Sequence, residues 1–268
     1  MRMKILAGVI LLFLIALSVD PRPCRAAEPA QLPKELKVCD GGNEWPPYAF
    51  FKRVSGEKTQ EVVGFSVDYL NAILAGTGIA ARIDLLPWKR CQYLVSTGEY
   101  DMLLNASFSR ERAEKYLISQ KYYELTGVYF YSKKKEIERI TKPSLLDDLY
   151  ICGELGYNYR NFGVDDANVD ASYQNLGAAM ERIKTGNCDI VLTDLEIARA
   201  QGLVGERDFS KDPDLRFETL PYMKLLSFHM MVSRRPAYAK TLLDLLNEGI
   251  ERLQKSNLPA TIMSRYAN

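Results

Sequence analysis

Apolar residues along the chain alternate between strand-like runs and helical spacing. Leu36 to Cys39 is a short apolar run that stops at Asp40, Gly41, Gly42, Asn43 and Glu44, the pattern of a strand opening into a loop. Lys52 to Glu61 is a polar, hairpin-like stretch around Gly56. After Gly64, the residues Phe65, Val67, Tyr69, Leu70, Ile73 and Leu74 have helical spacing, and Gly76 with Gly78 closes the helix. Ile79 to Leu86 alternates toward Pro87 as a second strand, and a helix then runs through Tyr93, Leu94 and Val95 to Gly98. Met102 to Leu104 is too short for a self-burying helix and reads as a central strand. This order predicts an α/β unit with a largely parallel sheet.

A second unit repeats the plan. Gly127 to Tyr131 is a strand that runs into Ser132, Lys133, Lys134, Lys135 and Glu136, and this abrupt change of polarity marks an expected crossing between two lobes. Asp148 to Gly153 reads as a strand, a helix is expected from near Tyr159, and Leu176 to Lys184 is another helix ahead of the strand Ile190 to Asp194. Thr97-Gly98-x-x-Asp101 and Thr185-Gly186-x-x-Asp189 each follow a helix and precede three apolar residues, a short internal echo. Leu225 to Ser233 is the expected return crossing, and helices from Ala237 to Leu253 and from Pro259 to Tyr266 close the chain on the first lobe. The expected division is residues 27–128 and 225–268 in lobe 1 and 129–224 in lobe 2.

Charge and the N-terminus limit the function classes. With 35 basic and 34 acidic residues in 268, no field favours nucleic acid. Arg2 and Lys4 precede an apolar segment from Ile5 to Val19, and Cys24 and Ala26 stand at minus three and minus one to a cut before Ala27. These are the three parts of a secretory signal peptide over residues 1–26, which predicts an exported mature chain. The cut removes Arg2, Lys4, Arg22, Arg25 and Asp20, so the net charge moves from +1 to −2 and a polyanionic partner stays excluded. Cys39, Cys91, Cys152 and Cys188 remain, an even number in an exported chain, which predicts two disulfides with three connectivities open. Their spacing matches no compact zinc motif, and with His229 as the single histidine no metal or other cofactor is expected.

The candidate chemistry sits where the central strand ends. Asn105, Ala106, Ser107, Phe108, Ser109, Arg110, Glu111 and Arg112 join small hydroxyl donors to guanidinium groups, with Ser109 as the N-cap of a helix. Arg112 in the first turn is opposed by the helix dipole, which points to a planar anion such as a carboxylate as its partner. A surface pair with Glu111 or Glu114 is the alternative. Asp194, at the matching strand end of the second lobe, would face Arg112 across a cleft and complement a zwitterion. Trp45, Tyr48 and Trp88 supply an aromatic wall. No nucleophile stands beside a base, and His229 lies inside the apolar strand Phe228 to Val232 as a packed residue.

The stretches EWPPYAF, VGFSVDYLNAI, LPWKRCQYLVSTGEYDML, SFSRERAEKYLISQKYY and DIVLTD together resemble the periplasmic solute-binding proteins for polar amino acids, whose fold is shared by the ligand-binding domains of ionotropic glutamate receptors. The resemblance implies a two-lobed type II fold, each lobe a mainly parallel sheet flanked by helices, with two hinge crossings. It implies that Arg112 clamps a ligand α-carboxylate with help from the Ser107 hydroxyl and an Asn105 backbone contact. It implies further that Asp194 accepts from the α-ammonium, that Trp88 stacks on the ligand and that Trp45 covers it. Tyr157 stands where the family carries a Thr and is expected to narrow the pocket or bond a side chain. Arg90 either selects an acidic ligand or is a solvated charge; Glu44 either meets a basic side chain or pairs with Arg90.

Adjacent strand ends pair Cys39 with Cys91 and Cys152 with Cys188, because a bridge between lobes would lock the hinge. The expected function is capture of a small amino acid by a monomer that delivers it to an inner-membrane ABC permease. A periplasmic enzyme on the same fold, resembling dehydratases of prephenate-like acids with Glu44 or Glu154 as acid, is the alternative from another class, and a sensory module is a third.

Overall fold

The computed structural model describes residues 31–266, so the signal segment expected over residues 1–26 lies outside the described residues. The first lobe opens with β1 (Glu35–Gly41), the hairpin β2 (Phe50–Val54) and β3 (Glu57–Val63), then α1 (Phe65–Leu74), β4 (Ala80–Leu86) and α2 (Trp88–Thr97). It continues through β5 (Met102–Ser107), α3 (Arg110–Lys115) and β6 (Tyr116–Leu125). The second lobe holds β7 (Gly127–Ser132), β8 (Ile151–Glu154), β9 (Val169–Tyr173), α4 (Leu176–Lys184), β10 (Ile190–Asp194), α5 (Leu195–Ala200) and β11 (Leu215–Thr219). The chain returns as β12 (Leu226–Ser233) and ends in α6 (Ala239–Gln254) and α7 (Leu258–Ser264).

Two five-stranded sheets result, in the orders β4-β1-β5-β12-β6 and β11-β7-β10-β8-β9. Helix crossovers return the chain parallel, and accordingly β1 runs parallel to β4 and β5, and β8 to β9 and β10. Strands that enter from the other lobe have no such helix before them. β12 is antiparallel to β5 and β6, and β7 to β10 and β11, so in each sheet four of the five strands run the same way and a single strand, β12 or β7, runs against them, the mainly parallel sheets that were expected. β5 is buried along its whole length, as a strand covered on both faces must be. In α1 the residues Phe65, Tyr69, Leu70, Ile73 and Leu74 form the buried face. α6 packs closely on it through Gly249, where a Cβ would stand 2.5 Å from Ile73 Cγ2.

The chain passes from one sheet to the other at Thr126, between β6 and β7. The charged run Ser132–Glu136, expected at the crossing, instead follows the far end of β7, where the strand leaves its sheet for solvent. Thr126 is tied down on the second lobe, donating through its N–H and its hydroxyl to the Glu196 carboxylate, each at 2.9 Å. The return runs between Thr219 and Leu226 beside it, and the Leu220 N–H donates to the Gly127 carbonyl at 3.4 Å. The helix expected from Tyr159 is only a 3-10 turn, Tyr159–Phe162, stopped by Gly163 at φ 82°. Both Thr-Gly echoes end helices, Gly98 at φ 88° after α2 and Gly186 at φ 76° after α4, so they are equivalent turns into central strands. Cys39 is bonded to Cys91 and Cys152 to Cys188, with Cα atoms 5.7 and 6.0 Å apart, and neither bridge spans the lobes.

Candidate functional site

The β5–α3 junction builds the first half of the site. Ser109 leaves the strand in extended geometry and its hydroxyl accepts from the Arg112 N–H at 3.1 Å, the N-cap that starts α3. That short helix turns the Arg112 side chain back over the strand end. Its Nη1 donates to the Ser107 carbonyl at 2.7 Å and to the Ser107 hydroxyl at 2.9 Å, and the guanidinium lies 5.6 Å from the Trp88 ring centre. Glu111 is spent on Lys115 at 2.7 Å, and no ion pair among the described residues includes Arg112. Burial lowers the guanidinium pKa from its ordinary value. The Nε and Nη2 of Arg112 face no protein acceptor among the described residues.

The arginine opens into a cavity of about 550 Å³ between the lobes. Trp45, Trp88, Asn105, Ser107 and Glu44 line it from the first lobe, with Glu154, Tyr157 and Asn158 from the second. The lobes touch here: Asn158 Nδ2 lies 3.4 Å from the Ser107 hydroxyl, and Arg53 Nη2 donates to the Val204 carbonyl at 3.2 Å. Gly156, at φ 87°, brings the second-lobe loop against Trp88, where an added Cβ would meet Cδ1 at 3.7 Å.

Tyr48 and Arg90 lie off the cavity, whereas Glu44 and Asn105 line it but are engaged within the protein. Tyr48 is buried behind the cavity wall, stacked on Tyr123 at 3.9 Å between ring centres, so it is core and not wall. Arg90 is exposed on α2 and lines no part of the cavity, which leaves the solvated reading. Glu44, held at φ 61°, is ion-paired with Arg53 at 2.6 Å and Lys58 at 2.8 Å from the β2–β3 hairpin and not with Arg90. Asn105, also left-handed at φ 54°, has its side chain consumed within the fold. Its Oδ1 accepts from the hydroxyls of Ser66 at 2.5 Å and Tyr123 at 3.0 Å, and its Nδ2 donates to Asp40.

Asp194 ends β10, fully buried, and stands behind Tyr157 and not on the cavity surface. Its Oδ2 accepts from the Tyr157 hydroxyl, while Oδ1 has no partner among the described residues. Burial pushes its carboxyl up to about 7, Glu196 adds to the rise, and the Tyr157 hydroxyl opposes it. Two carboxyls of the cavity wall that had no assigned ligand role share this property. Asp40 is raised by burial to about 7 against the Gly41 N–H and Asn105, and Glu154 is raised to about 7 by burial and by Asp194. Asp40 had a signal in its place at the carboxyl end of a strand, where α/β sheets bind ligands.

Each of these groups binds more protons folded than unfolded between the ordinary carboxylate range and about pH 7. Their stabilising effect is complete below that range and lost as pH rises through 7. His229, whose pKa burial lowers from 6.5, works in the opposite sense below that pH. The ligand-free protein is therefore expected to melt at a higher temperature as pH falls from about 8 to 6.5. Calorimetric melts across that window check it, and a flat or rising trend with pH contradicts the buried-carboxyl account.

The chain belongs to the bacterial extracellular solute-binding proteins, family 3, whose description matches residues 38–268. Among curated proteins it is 22% identical over 257 residues to a probable histidine-binding protein of Neisseria gonorrhoeae, covering 90% of this chain and 86% of that one. The substrate-binding protein of an amino acid ABC transporter superimposes with a TM-score of 0.67 at 21% identity, covering 87% of this chain and 98% of the other. A mutant of an arginine-binding protein from T. maritima does so with a TM-score of 0.68 at 19% identity, covering 87% and 95%. An arginine-, lysine- and histidine-binding protein of Geobacillus stearothermophilus gives 0.66 at 17%, covering 87% and 94%. These structures share the two-lobed fold, and the family and the relatives are binding proteins, not enzymes.

Proposed function

We propose that the protein is a periplasmic binding protein that closes over a small polar amino acid and passes it, as a monomer, to an inner-membrane ABC permease, after loss of a signal peptide cut near Ala26. The observation that carries this reading is the Arg112 guanidinium, half-buried in an inter-lobe cavity, without an acidic partner among the described residues and fixed by Ser107. A ligand α-carboxylate supplies the missing anion in bidentate geometry. The partnerless oxygen of buried Asp194, in the other lobe, is the acceptor proposed for the α-ammonium. Gripping one ligand from both lobes is what stabilises the closed form.

Among amino acids the basic ones fit best. Asp40 and Glu154 line the cavity without a basic partner among the described residues, and a cationic side chain offsets the cost of their burial. The named relatives bind arginine, lysine and histidine, in keeping with this. A thermal-shift screen of the mature, unfolded and refolded protein tests the reading, since ligand binding raises the melting temperature. L-arginine, L-lysine and L-histidine are expected to give the largest rises; shifts only with organic acids lacking an ammonium contradict it.

The enzyme reading rests on Glu154, whose carboxyl near 7 is suited to proton transfer. It is second because the same group is needed to balance a cationic ligand. Turnover of a prephenate-like acid by the purified protein would promote it.

A further inference from the structure

Tyr157 lines the cavity and Asp194 does not, although the two are hydrogen-bonded. The Tyr157 hydroxyl occupies one oxygen of the aspartate, and its ring packs on Tyr159 and Phe162 of its own lobe at 5.1 and 6.0 Å between centres. On its other side it meets Trp45 of the first lobe at 5.5 Å. The ring is therefore a partition between the ligand space and the only carboxylate of β10. We propose that Tyr157 is a built-in competitor for the ligand ammonium: its hydroxyl holds Asp194 in the empty protein, and an α-amino acid must displace it to reach that carboxylate.

The inference rests on the amino-acid reading above and deepens it into a specificity rule. Ligands with an α-ammonium exchange a neutral hydroxyl for a charged donor at Asp194, which strengthens the bond there. Ligands lacking it leave the Tyr157–Asp194 pair intact and find Arg112 alone. The hydroxyl also keeps one oxygen of a buried carboxyl partnered when the cleft is empty, since a buried acceptor left unsatisfied costs more than its bond is worth. The same contact thus stabilises the empty protein and weakens amino-acid binding, two effects of opposite sign that ordinary packing does not produce.

The test is Tyr157→Phe, which keeps the ring and removes the hydroxyl. L-arginine and L-histidine are titrated calorimetrically into both proteins beside their deaminated analogues, guanidinopentanoate and imidazolepropionate. The variant is expected to raise amino-acid affinity by about tenfold relative to the analogues, the scale of a hydrogen bond to a charged group, while lowering the melting temperature of the empty protein. A fall in amino-acid affinity, or equal changes for both ligand classes, overturns the competitor role and leaves the amino-acid reading standing. No amino acid binding to either protein overturns both. If the variant does not fold, the wild type decides through tryptophan fluorescence, to which Trp45 beside Tyr157 and Trp88 beside Arg112 both contribute: amino acids are expected to change it more than the analogues do, and identical changes overturn the proposal.

Discussion

Replacing Arg112 by alanine is expected to lower amino-acid affinity by about a hundredfold or more, the consequence of leaving a ligand carboxylate in a closed cleft without its counter-charge. The guanidinium is half-buried, has no acidic partner among the described residues and is oriented by two bonds to Ser107, so the fold has already met the cost of placing it. Lysine at this position keeps the charge but not the planar fork, and is expected to recover only part of the loss. Because Arg112 makes no ion pair among the described residues, the alanine variant should melt close to wild type when empty. Isothermal titration with L-arginine measures the affinity, and an unchanged value removes the carboxylate clamp.

The second large effect is expected from Asp194→Asn, and it is selective. Asparagine has the same shape and can still accept from Tyr157, but it presents no charge to an ammonium. L-arginine and L-histidine are expected to lose about a hundredfold in affinity, and guanidinopentanoate and imidazolepropionate to lose little, since breaking one side of a buried charge pair is what costs. The wild-type carboxyl stands near 7 when empty, and an ammonium binds its charged form. Amino-acid affinity should therefore weaken as pH falls from about 8 to 6, and the Asn variant should lose the share of that slope due to Asp194. Equal losses for both ligand classes contradict the ammonium role.

The parts of this site legible in the sequence are those set by local rules. Ser109 and Arg112 stand at N-cap spacing after a strand, and the structure shows that cap. The two cysteine pairs followed from which strand ends are neighbours. Arg90 was open between a ligand contact and a solvated charge, and the structure exposes it, two residues along α2 from Trp88 and so nearly on the opposite face. Other features depend on contacts distant in sequence. Glu44 is neutralised by Arg53 and Lys58 from the next hairpin, and Tyr48 is taken into the core by Tyr123. The lobe crossing at Thr126 has no local marker, since Leu125 before it and Val128 to Phe130 after it are apolar. Asp194 was placed in the right strand end, but the ring of Tyr157 that covers it depends on the path of the β8 loop, which spacing alone does not give.

All of this depends on one ligand being held from both halves of the molecule at once. A crystal structure of the mature protein with the amino acid that raises its melting temperature most is the direct measurement. The expected result is a ligand carboxylate on Arg112 and Ser107, its ammonium on Asp194 and the Tyr157 ring turned aside. A ligand bound in the cleft with its ammonium away from Asp194, or its carboxylate away from Arg112, would contradict the account.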